Sequence, residues 1–156
     1  MVWYGASSLF SFPYYLSYFN ELVGGSRHGY EYVVDSNVDA GQDLRRLTKW
    51  VENQGIDKIY IDYFSDNPQD EKSIPKYYLG EKAIPWRGSS NWVWWGIPHP
   101  GDFPKGNYLA ISATLLQTDR GKPRFDYQSY WGYYNWLNNY QPIAQVGRSI
   151  FVYYIP

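Results

Sequence analysis

Between residues 30 and 64 the chain changes period in a way that few folds accommodate. Tyr30-Glu31-Tyr32-Val33-Val34 reads as a strand, because β-branched and aromatic side chains suit a pleated, half-buried surface. It runs into Asp35-Ser36-Asn37-Val38-Asp39, side chains that cap the free N–H groups at a helix start. Leu44, Leu47 and Val51 then recur at helical spacing, with Arg45, Arg46, Lys49 and Glu52 on the other faces. That spacing predicts a helix over about residues 40–54, stopped by Gln54-Gly55. In DKIYIDYF, residues 57–64, Ile59, Ile61 and Tyr63 alternate with Lys58, Tyr60 and Asp62, as a strand does. Strand, helix and strand joined by short loops make a βαβ crossover, which demands parallel strands.

The remaining segments extend this frame. Pro68, Pro75, Pro85, Pro98, Pro100 and Pro104 break up residues 65–106, leaving room for one short helix near Ser73–Leu79. Asn107–Leu116 reads as a third strand, residues 127–140 as a short aromatic helix, and Ser149–Ile155 as a final strand. The expectation is an α/β fold: three layers and a mostly parallel sheet of at least four strands. The strands fall near 30–35, 57–64, 107–116 and 149–155, with an irregular aromatic loop insertion. Residues 1–25 form an aromatic, nearly uncharged N-terminal segment, and residues 26–156 a single soluble α/β domain.

Bulk properties exclude several functions. A net charge of −1 gives no electrostatic footprint for nucleic acid. The chain has no cysteine, so thiol catalysis, disulfides and cysteine-based zinc sites are ruled out. No apolar run reaches the roughly 18 residues of a membrane helix. There is no GxGxxG, P-loop, HExxH or GxSxG sequence, and His28 and His99 lie in separate loops. The chain does hold 18 Tyr and 8 Trp. Their flat apolar bodies and polar tips suit interfaces, sugar faces and headgroup layers, and equally a tyrosine-rich core.

Two clusters are candidate ligand sites. Asp35, Asn37, Asp39, Gln42 and Asp43 gather where a strand meets a helix, the place where open α/β sheets bind ligands. The same residues also serve as a helix cap, with Asn37 or Asp39 as the cap itself. The D-x-N-x-D spacing resembles half of a calcium loop, but Ala40 and Arg46 stand where an EF-hand needs Gly and Glu. A looser divalent-cation site is the alternative, and the sequence leaves any other cofactor open. Trp94 and Trp95, beside Trp92, could stack on a sugar ring or plug a loop onto the domain.

Longer stretches resemble a known family. Tyr15-Leu16-Ser17-Tyr18-Phe19-Asn20-Glu21-Leu22-Val23-Gly24-Gly25 and Asp35–Leu44, DSNVDAGQDL, resemble two signatures of the dolichyl-phosphate-mannose protein mannosyltransferase-like glycosyltransferases, family 39 of the GT-C superfamily. Tyr108–Gln117 and Pro142–Tyr153, PIAQVGRSIFVY, are similar to two further segments of that group. The likeness covers nearly the whole chain and is weakest over 65–106. Ala40 and Arg148 depart from it, standing where the family pattern has Trp and Tyr. The absent indole removes a stacking surface from the loop. Trp94-Trp95-Gly96 also resembles the WWDxG motif of oligosaccharyltransferases but lacks its Asp.

The resemblance implies an accessory domain of a polyprenyl-phosphate-sugar-dependent enzyme, on the extracytoplasmic face of the membrane. Residues 1–25 would follow the last span. The domain's partners would be the transmembrane part of its parent, the membrane surface, and a sugar-lipid donor or acceptor. The family's catalytic acids lie upstream of such a domain, so this chain is expected to be non-catalytic. A freestanding carbohydrate- or small-molecule-binding domain, or a cryptic hydrolase, is the alternative.

Overall fold

The computed structural model describes residues 5–7, 9, 12, 15, 25, 28–31, 41–64, 70–89, 96, 100–119 and 133–156. Its regular elements are α1 (Gln42–Asn53), β1 (Ile59–Asp62), α2 (Asp70–Leu79), β2 (Ala83–Pro85), β3 (Asn107–Ser112), α3 (Ala113–Asp119), β4 (Ala144–Val146) and β5 (Ile150–Ile155). The strands form one open five-stranded sheet in the order β2-β1-β3-β5-β4. β1 pairs in parallel with both β2 and β3, whereas β5 runs antiparallel to β3 and to β4.

The α/β class therefore holds, but the sheet is mixed. The expected parallel order applies to β2-β1-β3 and ends where β5 returns alongside β3. A parallel crossover is seen one step later in the chain, as β1-α2-β2, built from the stretch read as an irregular insertion. At the start of the strand expected over 30–35, Gly29–Glu31 instead forms a 3-10 turn. It is closed by the Glu31 N–H donating to the His28 carbonyl at 2.9 Å. Residues 32–35 lie outside the described residues. Exposed Glu31 has its carboxyl lowered in pKa, chiefly by the His28 side-chain hydrogen bond.

α1 follows the predicted stripe: Leu44, Leu47 and Val51 are fully buried, and Arg45, Lys49 and Glu52 are exposed. Its N-terminus corrects the expectation of an Asn37 or Asp39 cap. The N-cap residue is Gly41 at φ 91°, with no side-chain cap bond. At the other end Gly55 takes φ 65°. The Ile56 N–H then reaches the Val51 carbonyl and the Gly55 N–H the Glu52 carbonyl, each at 3.0 Å. These are the paired bonds of a Schellman stop, with Ile56 and Val51 in one apolar cluster.

Strand alternation sends apolar side chains to both sides of the sheet. Ile59, Ile61, Ala110, Ile150 and Val152 pack with α1 and with Leu79 of α2. Leu109, Ile111, Phe151, Tyr153 and Ile155 face the other way. Among the described residues that second face is not covered by a full helical layer. Among the described residues it carries α3 and an aromatic assembly: Tyr60, Trp86 and Phe103 meet edge to face at centroid separations of 5.0–5.9 Å. Trp136 stacks on Phe103. Much of the unusual aromatic content is thus core.

Two further boundaries differ from the sequence reading. The third strand ends at Ser112 and continues as α3, with Leu115 and Leu116 buried. A short continuous apolar run does not reveal by period whether it is strand or helix. Of the expected aromatic helix, Asn135–Asn139 is a 3-10 helix, and residues 127–132 lie outside the described residues.

Gly55 isolates the effect of a left-handed backbone, since a Cβ added there meets nothing within 4 Å. Gly55→Ala should therefore cost about 1–2 kcal/mol, measured as a lower urea midpoint with an unchanged slope. No loss of stability would refute the left-handed stop.

Candidate functional site

Asp43, in the first turn of α1, is fully buried, and its carboxylate is surrounded by donors. Oδ2 accepts from the Arg148 N–H at 2.7 Å, the Ser149 N–H at 3.0 Å and the Ser149 hydroxyl at 2.8 Å. Oδ1 accepts from Arg46 Nη1 at 2.6 Å. Gly147 makes this approach possible. It sits at φ 64°, and a Cβ there would overlap the Asp43 carboxyl group. A left-handed residue followed by successive inward N–H groups makes an anion-binding concavity. Here the bound anion is the protein's own carboxylate, from 105 residues earlier in the chain.

Above this joint lies an open groove of about 410 Å³ lined by Gly41, Gln42, Arg45, Arg46, Lys49 and Tyr78. Helical geometry explains the grouping, because residues three and four apart share one side of α1. Tyr78 comes from α2, and Thr48 holds the two helices together. Its hydroxyl lies 3.0 Å from the Leu44 carbonyl and 3.2 Å from the Tyr78 carbonyl. Among the described residues, three cationic side chains and no carboxylate line this groove.

A second polar centre is enclosed on the aromatic face, at the carboxyl end of β1. Asp62 and Tyr134 are both fully buried, and the Tyr134 hydroxyl donates to Asp62 Oδ2 at 2.5 Å. Nearby, Ser112 Oγ accepts the Phe64 N–H at 3.0 Å, tying the ends of β1 and β3 together. The indole N–H of Trp86 and the hydroxyl of Ser89 are buried without a hydrogen-bond partner among the described residues. Gly88 lies against Trp86 and Tyr134, where a side chain would collide with both.

Of the candidate residues read from the sequence, Gln42 lines the groove. Asp43 lies beneath it, its carboxylate committed to the β4–β5 turn and Arg46. Asp35, Asn37, Asp39, Trp94 and Trp95 lie outside the described residues, as does the D-x-N-x-D spacing. Among the described residues no cluster of three or more acidic or histidine side chains could hold a metal ion. Sequence reasoning placed Arg45, Arg46 and Lys49 on the outer faces of the helix without gathering them into a site. The i, i+4 spacing of Arg45 and Lys49 was the available signal. Nothing local could have indicated Tyr78 or the Gly147–Ser149 turn.

Together these features define an α/β domain with an open five-stranded sheet and a cationic groove beside its first helix. Compared with known proteins, the chain matches no family model, no curated protein and no solved structure.

Replacing Asp43 with Ala leaves buried donors unpaired, so it should destabilise the fold by about 3–5 kcal/mol. Ser149→Ala removes one donor of four and should cost about 1 kcal/mol. Gly147→Ala combines overlap with a disfavoured backbone and should cost at least about 2 kcal/mol. Chemical denaturation ranks the three, and an Asp43→Ala protein as stable as the parent would remove the joint's structural role.

Proposed function

We propose that this chain is the extracytoplasmic C-terminal accessory domain of a membrane glycosyltransferase that uses a polyprenyl-phosphate sugar, and that it helps position donor or acceptor. The observation carrying this reading is the resemblance of four separate segments to that group of enzymes. Their arrangement supports it. Asp43, from DSNVDAGQDL, is seated on Gly147–Ser149 of PIAQVGRSIFVY. Strand β3, from the Tyr108–Gln117 segment, pairs along its whole length with β5 of the last segment. Segments that resemble one family thus meet in one structural unit. The departure at Arg148 is compatible with this, because Asp43 is held by the backbone N–H there, which a Tyr would also offer.

In this reading the sugar transfer itself is performed by the membrane part of the parent, and the domain lies against the bilayer. Leu9, Phe12 and Tyr15 are 78%, 67% and 57% exposed, and Phe12 and Tyr15 meet edge to face at 6.1 Å. Exposed apolar and aromatic side chains of this kind suit a headgroup layer. A second reading, a freestanding small-molecule-binding domain, is favoured by the groove alone.

Two measurements test the proposal. The chain should float with liposomes, and a form lacking residues 1–14 should not; equal flotation removes the membrane contact. In the complete glycosyltransferase, Gln42→Ala should lower transfer about tenfold with the amount of folded enzyme unchanged. Activity that merely follows folded protein makes Gln42 structural, and a native reading frame without upstream apolar spans rules out the accessory-domain reading.

A further inference from the structure

We infer that the groove along α1 is a binding site for a phosphate or diphosphate group, held by Arg45, Arg46 and Lys49 with Gln42 and Tyr78 at its sides. The inference begins with charge. The whole chain carries −1, yet among the described residues the groove is lined by three cations and no carboxylate. Arg45 and Lys49 have no carboxylate partner among the described residues. Arg46 does have one, Asp43 at 2.6 Å. That pair leaves Arg46 half-buried and held at one edge, while the Asp43 carboxylate is itself satisfied by three donors from the β4–β5 turn. Asp43 therefore fixes one groove cation and is shared too widely to neutralise all three.

The shape agrees with the charge. A guanidinium presents a planar fork of donors that matches phosphate oxygens, and an ammonium adds a compact point charge. Arg45 and Lys49 lie one helical turn apart, so they converge on one ligand without backbone movement. Thr48 ties α1 to the Tyr78 carbonyl, so the tyrosine wall is held beside the cations. At about 410 Å³ the groove has room for more than a lone phosphate, which admits a phosphate ester. For its biological source the inference rests on the accessory-domain reading, whose donor carries such a group; for binding itself it does not.

The test uses the 156-residue chain with inorganic pyrophosphate in one arm and phosphatidylglycerol vesicles in the other, phosphatidylcholine vesicles serving as the neutral control. Titration followed by amide chemical shifts should move Gln42 and Lys49. Arg45→Gln and Lys49→Gln should each weaken binding about fivefold, and the double variant about twentyfold or more. Both side chains are exposed, so the melting temperature should stay at the parent value. Binding should weaken as salt rises. Variant-sensitive binding to pyrophosphate identifies a free phosphate group as the ligand. The same sensitivity on phosphatidylglycerol vesicles alone identifies a lipid headgroup. Failure of both arms, or affinities unchanged in the double variant, overturns the site. A groove that binds pyrophosphate in a protein whose gene encodes no membrane spans would keep this site and discard the accessory-domain reading.

Discussion

The fold is fastened at one buried carboxylate. Asp43 closes the gap between the start of α1 and the turn leading into β5, two places separated by most of the chain. An isolated buried carboxylate is costly, and the fold offsets that cost with four donors and a glycine that lets the backbone come close. The register of α1 on the sheet follows from that joint. Leu44, Leu47 and Val51 are then placed over Ile59, Ile61, Ile150 and Val152. The same joint aligns Arg46, whose partner is Asp43 itself, and so sets one edge of the groove.

The two faces of the sheet solve the burial problem by different means. One is covered by helices with aliphatic stripes, which repeat at a period the sequence displays. The other is covered by rings that arrive from β1, from the segment after β2 and from the 3-10 helix before β4. Rings of this size cover a sheet face without a regular second layer, and their edge-to-face contacts add to the burial. Abundant tyrosine and tryptophan therefore do not by themselves point to a sugar site. The hydroxyl of Tyr134 also compensates the buried Asp62, a polar pairing inside an aromatic core.

The proposed function follows from where charge is left over. Asp43 and Asp62 are both consumed internally, by backbone and hydroxyl donors. Among the described residues Arg45 and Lys49 are not matched by carboxylates, and they line a groove beside the Asp43 joint. The proposed accessory domain would need an anchored scaffold, a groove with cations left over and a surface that tolerates the membrane. The described exposure of Leu9, Phe12 and Tyr15 fits the last of these.

The sequence by itself determined the elements whose physics is local. The stripe of α1 was legible from the spacing of Leu44, Leu47 and Val51, its stop from Gly55, and β1 and β5 from their β-branched and aromatic runs. It also placed the polar cluster at the helix start, because Gln42 and Asp43 stand out against the apolar stripe that follows. Tertiary structure decided what depends on partners far along the chain. It ended the third strand at Ser112, since an apolar run carries no period to separate strand from helix. It turned the sheet antiparallel at β5, since strand direction is set by which edge the chain returns to. It also divided the polar cluster, taking Asp43 into the core and leaving Gln42 on the groove, because only contact with Gly147–Ser149 distinguishes a buried brace from a residue that faces a ligand.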